Sequence, residues 1–123
     1  MASDARRIGE RYFDAWTSRD FEAARALLQD DMTFRGPFEQ LDGADALIDS
    51  LQHVAGGLLD HVENRKVFID GEEICIAYDF VTQTPAGTVS IFDRYHVRDG
   101  KIDAVQTVFD TRPFAAMRES SAT

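Results

Sequence analysis

Cysteine is almost absent from this chain: Cys75 is the only one among 123 residues. That excludes an intramolecular disulfide and any cysteine-based zinc site. Cys75 lies in the apolar stretch Ile74-Cys75-Ile76, so the expectation is a buried, inert thiol. Positive charge is also scarce, with 13 Lys and Arg against 22 Asp and Glu and a formal net charge of −9. A surface that negative repels phosphate backbones and anionic lipid. The densest basic run is only Arg6-Arg7, so neither nucleic acid nor a membrane surface is an expected partner. No apolar run approaches membrane-spanning length, and Met1 to Arg7 lacks the apolar core of a signal peptide. The cytoplasm is the expected location. His53, His61 and His96 have no metal-ligand spacing, and no Gly-rich phosphate loop or Gly-x-Ser-x-Gly elbow occurs. Metal, nucleotide and serine-hydrolase chemistry thus have no support, and neither a metal nor a cofactor is expected.

What is present suits one domain over residues 1–123, with 44% hydrophobic and 28% charged residues, enough for a core without staples. A tail over about 118–123 reads as frayed. Ile8, Tyr12, Ala15 and Trp16 share one stripe of a first helix over 4–18. Asp20 can cap a second helix whose stripe is Phe21, Ala24, Leu27 and Leu28. Residues 32–38 alternate as a short strand stopped by Gly36-Pro37, and Asp42 can cap a third helix that ends at Gly56-Gly57. The second half has period two. Asp70-Gly71, Pro85-Ala86-Gly87 and Asp99-Gly100 divide it into strands near 60–69, 73–83, 88–98 and 102–110. The Asp-Gly pairs suit turns in which both central residues need positive φ. Short loops between long strands predict an antiparallel meander, and helices followed by such a sheet make an α+β domain.

The most informative residue emerges when strand 88–98 is split by parity. Val89, Ile91, Asp93, Tyr95 and Val97 share one face; Ser90, Phe92, Arg94, His96 and Arg98 share the other. Asp93 therefore stands in the apolar row, where a carboxylate either finds hydrogen-bonding partners or carries a raised pKa. A structural Asp tied across the sheet and a pocket carboxylate with acid–base work both satisfy that placement. The neighbouring rows Ile74, Ile76, Tyr78, Phe80 and Asp103, Val105, Thr107, Phe109 suit a core or a pocket lining. Arg35 is either a solvated strand residue or an anchor for a carbonyl or carboxylate at a pocket mouth. Trp16 packs near that pocket or in plain core. Asp110 and Arg112 are placed to pair with each other.

Three stretches in their order and spacing carry a resemblance: 11–20 (Arg11-Tyr12-Phe13-Asp14-Ala15-Trp16-Thr17-Ser18-Arg19-Asp20), 27–34 and 92–102. From Arg7 to Phe114 the chain resembles the SnoaL-like, or NTF2-like, superfamily. Its cone-shaped, cystatin-like fold is shared by nuclear transport factor 2, polyketide cyclases, limonene epoxide hydrolase and ketosteroid isomerase. The resemblance implies three N-terminal helices packed on a strongly bent antiparallel sheet that encloses a pocket, and a homodimer formed through the outer sheet surface. Relative to ketosteroid isomerase, the pocket tyrosine falls on Tyr12 and the protonated oxyanion-hole aspartic acid on Asp93. The isomerase's basic aspartate, just before a proline, falls on Gly36, which cannot move a proton. Asp79, His53 and His61 remain as other candidate bases, each with a structural reading beside it.

The leading functional reading is a cofactor-independent acid–base enzyme of cyclase, isomerase, dehydratase or epoxide-hydrolase type. Its substrate would be hydrophobic and polyketide-, terpenoid- or steroid-like, with Asp93 and Tyr12 hydrogen-bonding a substrate oxygen. Trp16, Phe34, Arg35, Tyr78, Phe80, Tyr95, Val105, Thr107 and Phe109 complete the expected substrate-binding set. A non-catalytic binder of small ligands is the alternative, as is a dimeric interaction module, which would need an exposed apolar patch.

Overall fold

The computed structural model describes residues 2–115; the tail expected to fray, 118–123, lies outside the described residues. The elements run α1 (Ala2–Thr17), α2 (Phe21–Ala26), β1 (Leu28–Arg35), β2 (Gln40–Asp42), α3 (Ala44–Gly57), β3 (Leu59–Asp70), β4 (Glu73–Thr82), β5 (Thr88–Arg98) and β6 (Lys101–Phe109). They build an α+β domain with one curved, unclosed sheet in the order β2-β1-β6-β5-β4-β3. Among the described residues, no helix is long and apolar enough to cross a membrane.

Helix α1 lies over the inner face of β3, β4, β5 and β6. Its stripe supplies Ile8, Tyr12, Phe13 and Trp16, all at most 4% exposed. Arg65 of β3 holds the helix from the other side, pairing with Glu10 and Asp14 and lying 4.9 Å over the Phe13 ring. Gly9 permits the close approach. A Cβ there would sit 2.5 Å from Ile74 Cγ2 and 2.8 Å from its Cδ1. Asp20 caps α2 as expected, its Oδ1 accepting from the Ala23 N–H at 3.2 Å.

Several expectations need correction. Leu28 is not on the second helix; it opens β1, fully buried, because the chain reverses at Leu27. Asp42 does not cap α3, since it ends β2, and the cap residue is Gly43 at φ 96° with no side-chain cap bond. The sheet is not wholly antiparallel, for β1 pairs parallel to β6 and antiparallel to β2. Two central residues with positive φ occur only at Asp99 (53°) and Gly100 (78°). In the β3–β4 turn Asp70 still pairs with Glu73, so the central pair is Gly71-Glu72 and only Gly71 (φ 60°) is left-handed. Cys75 is half-buried on the outer face, opposite Arg94, rather than in the core. Desolvation and the Asp93 charge push its thiol pKa up, against a smaller pull from Arg94.

Asp103 departs from strand parity. A register shift between His96 and Val97 lets both Ile102 and Val105 face the core, three residues apart. The bulge turns Asp103 to the outer face, where its carboxylate pairs with His96 Nδ1 at 2.5 Å and Arg98 Nε at 3.5 Å.

Candidate functional site

The inner face of the sheet, α1 and α3 enclose a cavity of about 160 Å3. It exists because strict alternation on β4 and β5 sends every second side chain inward, and the curved sheet keeps those rows from meeting α3. Tyr12 and Trp16 reach it from α1, Tyr78 and Phe80 from β4, Asp93 and Tyr95 from β5. Phe34 joins from β1, and Val105, Thr107 and Phe109 from β6. Ten of the eleven residues singled out from the sequence thus meet at one place. Arg35 does not: it is exposed on the opposite side of β1, beside Arg94 and His96, because parity sends it away from Phe34.

Asp93 lies in the cavity wall, 4% exposed, within the buried row Val89, Ile91, Tyr95 and Val97. Its carboxylate is held by three hydroxyls. Thr107 Oγ1 donates to Oδ1 at 2.8 Å, while Tyr95 and Tyr78 donate to Oδ2 at 2.9 and 3.2 Å. Register explains the arrangement, since Asp93 stands opposite Ile76 on β4 and Thr107 on β6. Burial pushes the Asp93 pKa up from 3.8 to about 6, and the three donors hold it from rising further. The neutral carboxylic acid that the isomerase resemblance implies is therefore only partly realised: at neutral pH the ionised form dominates.

Tyr12 packs edge-on against Tyr95, ring centroids 5.1 Å apart. Burial, then the Asp93 charge, raises its pKa well above 10, so the phenol stays protonated. Among the described residues its hydroxyl has no hydrogen-bond partner. No sealed, unpaired side-chain oxygen exists among them either, so Tyr12 Oη opens onto the cavity. Burial, then the Asp93 charge, pushes the Tyr95 pKa well above 10, so this phenol also stays protonated.

Gly36 lines the cavity, and the Phe34 ring fills the place of a side chain there; a Cβ would lie 2.9 Å from Phe34 Cζ. Neither His53, His61 nor Asp79 reaches the cavity. His53 is exposed on α3 with Nδ1 2.8 Å from Asp49 O, and His61 lies between Asp60 and Glu63 on the surface. Asp79 faces outward, accepting from Asn64 and Ser90. Asp110 and Arg112 pair with each other as expected.

Sequence reasoning missed the α3 contribution (Leu47, Ser50, Leu51, Val54) and the loop 36–39, whose Glu39 carboxylate accepts from Ser50 Oγ at 2.6 Å. The α3 stripe carried an apolar signal that core packing explains equally well; Glu39 carried none. The mouth is framed by Phe38, Phe109 and Phe114 with centroids 5.4 to 5.9 Å apart. Among the described residues no group of His, Cys, Asp and Glu is placed to hold a metal ion.

Comparison with known proteins agrees with this architecture. A protein from Kribbella flavida DSM 17836 superposes with a TM-score of 0.86 at 26% identity, covering 94% of this chain and 93% of that one. An NTF2-like protein of unknown function from Cytophaga hutchinsonii gives 0.78 at 23% identity, covering 90% and 94%. An LEH-like epoxide hydrolase of M. tuberculosis gives 0.74 at 20% identity, covering 96% and 92%. No curated protein matches the sequence. The family model described as a SnoaL-like domain matches residues 9–105, from the middle of α1 to the strand that carries Thr107, and so the chain belongs to the SnoaL-like domain family.

Proposed function

We propose that the protein is a cofactor-independent acid–base enzyme acting on a small hydrophobic molecule that carries an oxygen. One observation carries the reading: a buried carboxylate with a pKa of about 6 in the wall of an apolar cavity, beside a tyrosine hydroxyl that has no hydrogen-bond partner among the described residues. A group poised that close to neutrality exchanges protons in both directions, which general acid–base catalysis requires. Tyr12 donates to the substrate oxygen and stabilises charge that develops on it. Asp93 as carboxylate removes a proton from the substrate and, as the acid, returns one. Isomerisation, cyclisation, dehydration and epoxide opening all fit this pair, and Gly36 argues against the ketosteroid isomerase arrangement of a separate base.

The test is a thermal-shift screen of phenols, steroids, epoxides and polyketide-like aromatics, followed by turnover assays of the hits. Ligand at about one hundred times its Kd is expected to stabilise the fold by about 2.7 kcal/mol, several degrees in Tm. Turnover whose kcat/KM follows an apparent pKa near 6 supports the reading. A hit that binds without turnover, with affinity lost in Tyr12→Phe, would instead make the protein a binder.

A second reading concerns the outer sheet face, where Phe92 stands opposite Val108, 51% and 55% exposed, with Ala77 beside Phe92. Phe68 on β3 is 56% exposed. We propose that a second copy of the chain covers this patch. Sedimentation is expected to give a dimer that Phe92→Glu converts to monomer; a monomeric wild type removes this reading.

A further inference from the structure

The cavity's size and polarity restrict what it takes more sharply than the family resemblance does. An apolar protein cavity of roughly 150 Å3 accommodates benzene, and this one encloses about 160 Å3. A fused ring system exceeds that space unless the walls move or a ring projects through the mouth between Phe38, Phe109 and Phe114. The walls at issue are Trp16, Tyr78, Phe80 and Leu47, each at most 4% exposed and packed from behind.

Polarity narrows the class further. Among the described residues no Lys, Arg or His side chain lines the cavity; its charged groups are the carboxylates of Asp93 and Glu39. An anionic ligand would lose its hydration, meet no cation and face like charge. A neutral hydroxyl, by contrast, finds two complementary partners. A carboxylate offers about four lone-pair sites, of which Thr107, Tyr95 and Tyr78 occupy three at Asp93, leaving one acceptor position. Tyr12 supplies the donor, its hydroxyl being unpaired among the described residues. A ligand hydroxyl placed between them donates to Asp93 and accepts from Tyr12.

We infer that the substrate of this cavity is a neutral molecule of one six-membered ring bearing a hydroxyl group. The inference rests on the reading of Asp93 and Tyr12 as the substrate-contacting pair. It is narrower than the polyketide-, terpenoid- or steroid-like class that the resemblance implies, leaving out that class's fused-ring members.

Isothermal titration calorimetry of the full chain tests it with phenol, cyclohexanol, benzene, benzoate, 2-naphthol and a four-ring steroid alcohol at pH 7.5. Phenol and cyclohexanol are expected to bind one per chain. 2-Naphthol and the steroid should bind at least tenfold more weakly, and benzoate more weakly still. Tyr12→Phe should weaken phenol about three- to tenfold and leave benzene unchanged, the loss of one net hydrogen bond. If 2-naphthol or the steroid binds more tightly than phenol, and that binding weakens in Tyr12→Phe, the one-ring class is overturned while the pocket pair stands. Benzoate binding more tightly than phenol overturns the requirement for neutrality. Silence from every probe overturns both the class and the underlying reading.

Discussion

Asp93→Asn is expected to lower turnover by about 10²- to 10⁴-fold, the range over which a positioned acid–base group acts. The same variant should change how stability depends on pH. The folded chain holds the Asp93 proton more tightly than the unfolded chain, because the pKa rises from 3.8 to about 6 on burial. Between about pH 4 and 6 the folded state therefore binds more protons, and this group makes stability fall as pH rises. Above about pH 6 the full penalty is present, on the order of 3 kcal/mol from a shift of about two units at about 1.4 kcal/mol each. Asn carries no such penalty and keeps an acceptor oxygen for the surrounding hydroxyls. Relative to wild type, the variant should thus gain about 2–3 kcal/mol between pH 4 and pH 7.5 in urea unfolding. Parallel pH curves for the two proteins would mean that Asp93 titrates as a solvated carboxylate. Lost turnover with a relative gain in stability at neutral pH separates a functional carboxylate from a structural one.

Gly9→Ala should destabilise the protein by about 2 kcal/mol, although in an isolated helix the same change would stabilise by up to about 1 kcal/mol. The added methyl would lie 2.5 Å from Ile74 Cγ2 and 3.4 Å from Tyr95 Cδ2. Ile74 is fully buried and β-branched, so its Cγ2 cannot rotate aside cheaply. Overpacking of this kind costs about 1–3 kcal/mol. Thermal unfolding should show a Tm lowered by roughly 8 °C. Ile74→Ala alone should cost about 2–5 kcal/mol by leaving a cavity. In the double variant the two losses should fall short of their sum by at least about 1 kcal/mol, since the new methyl enters the vacated space. Exact additivity would mean that α1 shifts rather than that Ile74 yields. Such a shift would carry Tyr12, one turn beyond Gly9, away from the cavity and weaken ligand binding as well.

Period and turn chemistry in the sequence determined much of this protein. The strict alternation of 73–82 and 88–98 set which side chains face inward, because opposite pleats of a strand see different solvents. That alone placed Asp93 in the same inward row as Tyr95, and Tyr78 and Phe80 in the inward row of their own strand. The Tyr12 and Trp16 stripe followed from helical spacing, and the Asp99-Gly100 turn from its need for positive φ.

Other features depended on contacts between residues distant in the chain, which local pattern does not encode. The parallel pairing of β1 with β6 joins residues some seventy positions apart, and no turn specifies it. The bulge at His96 and Val97 reversed the parity expected for Asp103, since one extra residue moves every earlier side chain to the other face. Whether Asp93 was paired or orphaned was equally invisible. Its donors come from β4, β5 and β6, and only the register of three strands brings Tyr78, Tyr95 and Thr107 to one carboxylate. Glu39 reached the cavity through a loop held by Ser50. The cavity itself is a difference between surfaces that the curved sheet and α3 leave unfilled. A sequence fixes which side chains are apolar and which way a strand turns them. Which of those apolar faces close against each other, and which stay apart to hold a ligand, is decided only when the sheet bends and the helices settle on it.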